Sequence, residues 1–235
     1  MIKLIFILLF SLNCFAAREF DSSGSDEFLD VDTAALTAAP FTMSAWVKMS
    51  SLSGPATILQ LADLSVSNNN FELAIGGTEN VRFRARDGST GAANTGVALS
   101  VGVWAHVVGI EASTTSRSAF VDGGNKDTDT TSITPTGIDR TSIGRGGDST
   151  PSDYWDGAIS SVAIWNVVLT DQEVLSLANG VSPLRLHRSA LIAYWPVGGQ
   201  STEPDIIGGV NLTVNGTPLQ VEGPPIPHAI KAPGN

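Results

Sequence analysis

Three arginines at alternate positions, Arg82, Arg84 and Arg86, are the residues of this sequence best suited to do chemistry. Successive side chains of an extended strand point to opposite faces. The three guanidinium groups therefore share one face, and Val81, Phe83 and Ala85 share the other. Guanidinium groups bind carboxylate or sulfate through paired hydrogen bonds. Trp46 stands in a similar relation to its neighbours. Phe41, Met43, Ala45 and Val47 form the apolar side of residues 41–48, and Trp46 lies on the other side with Thr42, Ser44 and Lys48. Sugars stack their apolar faces on such a ring. If the two strands share a sheet, an aromatic platform and a cationic strip make one ligand surface. The alternative is that a loop or the C-terminal segment covers Trp46, while the arginines pair with acids, of which the chain has 23 against 13 Lys and Arg.

A second candidate is the loop over residues 145–157. It combines the carboxylates of Asp148, Asp153 and Asp156 with the rings of Tyr154 and Trp155. That mixture suits a loop-borne sugar site, with Tyr154 and Trp155 as ligand-binding aromatics. It also suits a calcium site with the three aspartates as ligands. The competing reading is a rim loop with Trp155 tucked into the interior. No Ser-His-Asp arrangement is readable. His187 and His228 sit in loop-like surroundings without metal-ligand spacing, and the alternation of a strand accounts for His106. The expectation is a protein that is not an enzyme and that needs no cofactor, calcium excepted.

The elements that must position these residues are mostly strands. Phe71, Leu73 and Ile75 form an inward set, as do Val81, Phe83 and Ala85; Trp104, His106, Val108 and Ile110 alternate in the same way. Gly, Asn and Asp clusters near residues 67–70, 76–77, 87–91, 123–125 and 146–148 punctuate the runs. Asp122-Gly123 tolerates positive φ and predicts a tight hairpin. One helix is predicted near 170–179. Thr170 and Glu173 spell a capping box, Leu169 and Val174 a hydrophobic staple, and Gly180 a left-handed stop; Val174, Leu175 and Leu177 should press onto the strands. Strands with one late helix predict an all-β antiparallel β-sandwich.

Five segments carry a family resemblance. Phe41-Thr42-Met43-Ser44-Ala45-Trp46-Val47-Lys48, Trp104-Ala105-His106-Val107-Val108, Phe120-Val121-Asp122-Gly123, Ser142-Ile143-Gly144, and the run from Asp156-Gly157-Ala158-Ile159 to Glu173 resemble, in order, laminin-G-like members of the concanavalin-A-like jelly-roll superfamily. The resemblance covers roughly residues 20–180. It implies a jelly roll but not one activity, because the superfamily hosts lectins, adhesins, accessory modules, glycan hydrolases and virion proteins. Its glucanases carry acids at alternate positions on one strand. Asp30 and Asp32 are the nearest counterparts, and the resemblance places them on an edge strand rather than in a cleft. Calcium-binding relatives carry an Asp just before the strand that resembles 71–75, where this chain has Asn68, Asn69 and Asn70. Ser189-Ala190-Leu191-Ile192-Ala193-Tyr194-Trp195-Pro196 and the stretch to Val214 resemble the segment that usually opens such a domain, so the chain reads as circularly permuted. Residues 190–220 are then expected to return to strands near 18–32 and complete one sandwich spanning 17–222, followed by a Pro-rich tail over 223–235.

The N-terminus bounds the compartment. Lys3, an apolar run over 4–12 and Cys14-Phe15-Ala16 form a signal-peptide pattern for residues 1–16, too short to span a bilayer. Asn13 makes a poor lipid-attachment context for Cys14, the only cysteine. The expectation is a secreted or cell-envelope protein, without membrane insertion after cleavage, whose stability rests on its core rather than on disulfides. A net charge of −10 disfavours nucleic acid as a partner. Asn211-Leu212-Thr213 and Asn215-Gly216-Thr217 match glycosylation sequons, which matter only in a eukaryotic secretory route. The reading favoured by sequence is a secreted recognition module that binds glycan or a cell-surface protein in adhesion. The alternatives are a self-associating structural subunit of an assembly, filament or virion and, more distantly, a polysaccharide hydrolase.

Overall fold

The computed structural model describes residues 16–23, 27–51, 54–198 and 201–225. The signal-peptide pattern with Cys14, His228 and most of the Pro-rich tail lie outside the described residues. In chain order the strands are β1 (Ala16–Phe20), β2 (Phe28–Val31), β3 (Phe41–Met49), β4 (Ala56–Ala62), β5 (Asn69–Ile75), β6 (Asn80–Asp87), β7 (Thr90–Ala98) and β8 (Ala105–Ser113). Then come β9 (Ser116–Val121), β10 (Gly124–Asp129), β11 (Arg140–Ile143) and β12 (Gly157–Trp165). After the helix α1 (Asp171–Ala178) follow β13 (Leu191–Trp195), β14 (Thr202–Glu203), β15 (Leu212–Asn215) and β16 (Leu219–Glu222).

These strands form two antiparallel sheets, as the alternation predicts. The first runs β10-β9-β8-β3-β12-β1-β16, with β13 also paired to β12; the second runs β14-β15-β2-β11-β4-β5-β6-β7. Phe41, Met43, Ala45 and Val47 of β3 meet Phe71, Leu73 and Ile75 of β5 and Val81, Phe83 and Ala85 of β6 in one buried core. The inward sets read from period-two alternation are thus the inner faces of stacked sheets. β12 holds two partners end to end. β1 pairs along its first residues, from Arg18 opposite Ile159 to Phe20 opposite Gly157. β13 pairs along its last residues, from Trp195 opposite Val162 to Leu191 opposite Trp165. Between them Ser161 takes a left-handed φ of 52°, marking a bulge. The C-terminal segment adds strands to both sheets, since β15 pairs with β2 and β16 with β1.

The local signals resolve as their chemistry requires. Asp122 and Gly123 have φ of 50° and 74°, and β9 turns directly into β10. A Cβ on Gly123 would stand 2.8 Å from the Leu175 Cα, so glycine also admits the helix there. The Thr170 side chain accepts from Glu173 N–H and the Glu173 carboxylate accepts from Thr170 N–H, completing the capping box. Val174 and Leu177 are buried with Val108, Ile110, Phe120, Trp165 and Tyr194 in a second cluster on the outer face of the first sheet. Leu175, expected to press onto the sheet, is instead exposed. Its place in the turn aims it past the edge, beside the β9–β10 hairpin. Among the described residues no helix is long and apolar enough to cross a membrane.

Candidate ligand-binding face

The outer face of the second sheet is polar, and its register makes it a ladder. One cross-strand row runs Asp30, Ser142, Gln60, Glu72, Arg84 and Ala92. A parallel row runs Arg140, Ala62, Asn70, Arg86 and Thr90, and a third runs Thr57, Ala74, Arg82 and Asn94. Glu72 therefore lies directly across from Arg84, and the two form an ion pair with both side chains buried.

The loop over residues 145–156 roofs part of this ladder. The Gly147 N–H donates to Gln60 Oε1 at 2.6 Å, and the Asn68 N–H donates to Asp148 Oδ2 at 2.9 Å. Thr57 N–H donates to the Asp153 carbonyl at 2.7 Å, and Arg84 Nη2 reaches the Asp153 carboxylate at 3.4 Å. Arg145 lies over the Phe28 ring, 3.4 Å from its centroid, and donates to Asp30 at 2.8 Å. The roof ends at β6. Beyond it, Asn94 and Thr90 on β7 are exposed opposite Arg82 and Arg86.

The three arginines meet different fates there. Arg84 holds Glu72 and Asp153. Arg86 Nη1 donates to the neutral Asn68 Oδ1 at 2.5 Å. Arg82 Nε and Nη2 and Arg86 Nε are shut away from solvent without a hydrogen-bond partner among the described residues. Burial pushes all three guanidinium groups below their ordinary range, Arg84 to about 10, and Arg86 depresses Arg82 and Arg84 further by like charge. All three stay protonated at neutral pH. A strip of partly desolvated, mutually repelling cations gains energy from an anion.

The structure separates the other sequence-derived candidates. Trp46 lies on the outer face of the first sheet, across β3 from His106 and Ser160, so it does not share a surface with the arginines. The β3 and β6 strands fall in different sheets, and their outer faces point away from each other. Trp46 stacks obliquely on His106, with ring centroids 5.2 Å apart, and the turn at Gly180, Val181, Ser182 and Pro183 closes over a small recess beside them. Burial pushes the His106 imidazole down to about 3, so it is neutral there. Trp155 is fully buried in the main core and offers no ring to a ligand, because a Trp entering β12 gains more by packing. Tyr154 is half-buried, edge-on to Phe28 at 6.3 Å.

The three aspartates do not converge. Asp148 accepts from the N–H groups of Asn68 and Thr150, Asp153 faces Arg84, and Asp156 accepts from the Ser51 hydroxyl. Among the described residues no three His, Cys, Asp or Glu side chains form a metal-holding group. Asp30 is not on an edge strand, since β2 lies between β15 and β11, and Asp32 follows the end of that strand. Asp30 pairs with Arg145 at 2.8 Å and Asp32 with Arg140 at 2.6 Å, so each is held as a charge partner. Sequence reasoning missed Glu72, Gln60 and Asn68. The alternation of 71–75 puts Glu72 outward, but only the β5–β6 register sets it against Arg84.

Residues 23–175 match a laminin G model of the concanavalin A-like lectin/glucanases superfamily, and the chain belongs to that family. No curated protein matches the chain in sequence. Among solved structures, a proposed carbohydrate binding protein of Bacteroides ovatus is 19% identical with a TM-score of 0.64. The match covers 88% of this chain, which spans only 60% of that protein's length. The CBM40 of Ruminococcus gnavus IT-sialidase, crystallised with α2,3-sialyllactose, is 17% identical with a TM-score of 0.56, covering 69% of this chain and 96% of that one. A heptameric SAP-like pentraxin of Limulus polyphemus is 13% identical with a TM-score of 0.55, covering 73% and 86%. At these identities the likeness is one of fold.

Proposed function

We propose that the protein is a secreted, non-enzymatic recognition module that binds glycans at a cell surface or in extracellular matrix, through the outer face of the second sheet. The observation that carries this reading is the arginine strip, whose unpartnered nitrogens lie beside the exposed Thr90 and Asn94 on a rigid sheet. Strand-borne donors at set spacing suit the hydroxyl and acidic groups of a sugar. The similar structures that bear carbohydrate-binding names support it by analogy of fold. The absence of catalysis is supported by Asp30 and Asp32, each tied to an arginine rather than facing its neighbour across a cleft. Export is supported by the leader-like N-terminus, and cleavage after Ala16 would keep the buried Ala17 and Phe20 of β1 in the mature chain.

A glycan array probed with the exported protein tests the reading, with light scattering on the same sample. Binding by a monomer is the expected result. A large oligomer indifferent to every glycan would instead support a structural subunit, and release of sugar from polysaccharide would overturn the non-enzymatic assignment.

A further inference from the structure

The charges around the arginine strip balance in number but not in pairing, and the way the pairing fails indicates a ligand. Three carboxylates lie near three guanidinium groups. Glu72 is fully buried beneath Arg84 and belongs to it. Both Asp148 oxygens accept N–H groups, Oδ2 from Asn68 at 2.9 Å and Oδ1 from Thr150 at 2.9 Å. Asp153 is different. Its side chain is 31% exposed, and its contact with Arg84 Nη2 is long, 3.4 Å. It sits at a left-handed φ of 53°, which a residue with a Cβ adopts only at a cost. Its carbonyl is anchored by Thr57 N–H, so its carboxylate can swing away without moving the loop backbone. Arg82 meanwhile has two sheltered nitrogens without a partner.

We infer that the Arg82–Arg84–Arg86 strip is a site for a carboxylate or sulfate group carried on a sugar, and that Asp153 is a carboxylate the chain itself holds there, displaced from Arg84 when that ligand binds. The anion stands on the unpaired nitrogens alone; the sugar rests on the glycan reading above. An incoming oxyanion bonds Arg82 and takes over Arg84 Nη2, the nitrogen that Asp153 holds, while Glu72 stays paired with Arg84 from the neighbouring strand. Asp153 is then a competitor, which keeps weak anions out and raises the threshold for binding.

The test uses sodium sulfate and sodium acetate at matched ionic strength, read by the arginine Nε–Hε resonances of the exported protein, together with the glycan array. The two ions separate tetrahedral from planar anion preference, and sulfated and carboxylated glycans do the same on the array. The expected result is a saturable shift of the Arg82 resonance, its loss in Arg84→Gln, and tightening by about threefold to tenfold in Asp153→Asn, since removing a facing charge helps an anion. Glu222→Gln, an equal loss of charge on the exposed edge strand β16, changes affinity by less than about twofold. No shift with either ion, or weaker binding in Asp153→Asn, overturns the inference. A protein that binds neutral glycans but neither ion keeps the glycan reading and loses this one. A protein that binds an ion but no glycan keeps the anion site and loses the glycan reading.

Discussion

Arg117 and Arg82 are both strand arginines with little solvent around them, yet the chain treats them in opposite ways. Arg117, on β9, is fully buried at one end of the sandwich. Its Nε and Nη2 donate to the two Glu111 oxygens at 3.1 Å each, its Nη1 reaches Asp129 and the Thr131 carbonyl, and its Nη2 also reaches the Thr114 carbonyl. That site is a closed account of donors and acceptors, and it ties the β8–β9 hairpin to the crossover that follows β10. Arg82 ends with two of its nitrogens, Nε and Nη2, sheltered and unused. Buried polar groups that fold a protein are satisfied within it, so an unsatisfied set on an accessible sheet face marks a place for something else.

The largest expected effect tests the closed half of this contrast. Arg117→Met leaves Glu111 and Asp129 without their partner and should cost about 3–5 kcal/mol in urea unfolding. Binding at the far strip should stay unchanged at temperatures where the variant is folded. A loss below about 1 kcal/mol would show that the network is ornamental.

His106 supplies a third case, a group kept buried by staying neutral. Its folded pKa is depressed by burial to about 3 against 6.5. The unfolded chain therefore takes up a proton first as pH falls. The stability contributed by neutral His106 is complete above about 6.5 and is lost on the way down to about 3. Between pH 6.5 and 4 that amounts to about 3 kcal/mol. His106→Gln should flatten the corresponding part of the acid curve, read as the wild-type minus variant difference at pH 7 and pH 4.

Arg82→Gln addresses the open half. It breaks no hydrogen bond, and the relief of repulsion with Arg86 offsets the lost attraction to Asp153, so stability should change by less than about 0.5 kcal/mol. Affinity for an acidic glycan should fall at least about tenfold, the loss of one charge-assisted contact. A strongly destabilised variant would mean that Arg82 has a structural role like that of Arg117. The smallest effect serves as a calibration away from both sites: Thr170→Ala removes the cap of α1 and should cost about 1 kcal/mol by thermal or urea unfolding, with no change in binding.

Much of the architecture was legible because its causes are local. Alternation marked the inner faces of β3, β5 and β6; Asp122-Gly123 marked a hairpin; and Thr170 with Glu173 marked the helix start. Sequence also gave the right face for the arginines. It misjudged their surroundings. Trp46 joins them only if the two strands share a sheet, which the topology denies, and of the two readings of Trp155 the packed one holds, since it fills the core. Asp148, Asp153 and Asp156 looked like a cation site because they are close in sequence, but the loop turns each toward a different donor. For the ion pair between Glu72 and Arg84, alternation marked only that both side chains face outward; the β5–β6 register set them against each other.

By itself, then, the order of residues determined which side of each strand is apolar, where the chain turns and where α1 begins, since these follow from φ preference, side-chain period and neighbours a few positions away. Tertiary structure alone decided that β6 lies between β5 and β7 while β3 lies between β8 and β12 in the other sheet. Strand neighbours are chosen by core packing over long separations, and that choice put three cations under one acidic loop and turned the outer side of the Trp46 strand toward the opposite side of the molecule.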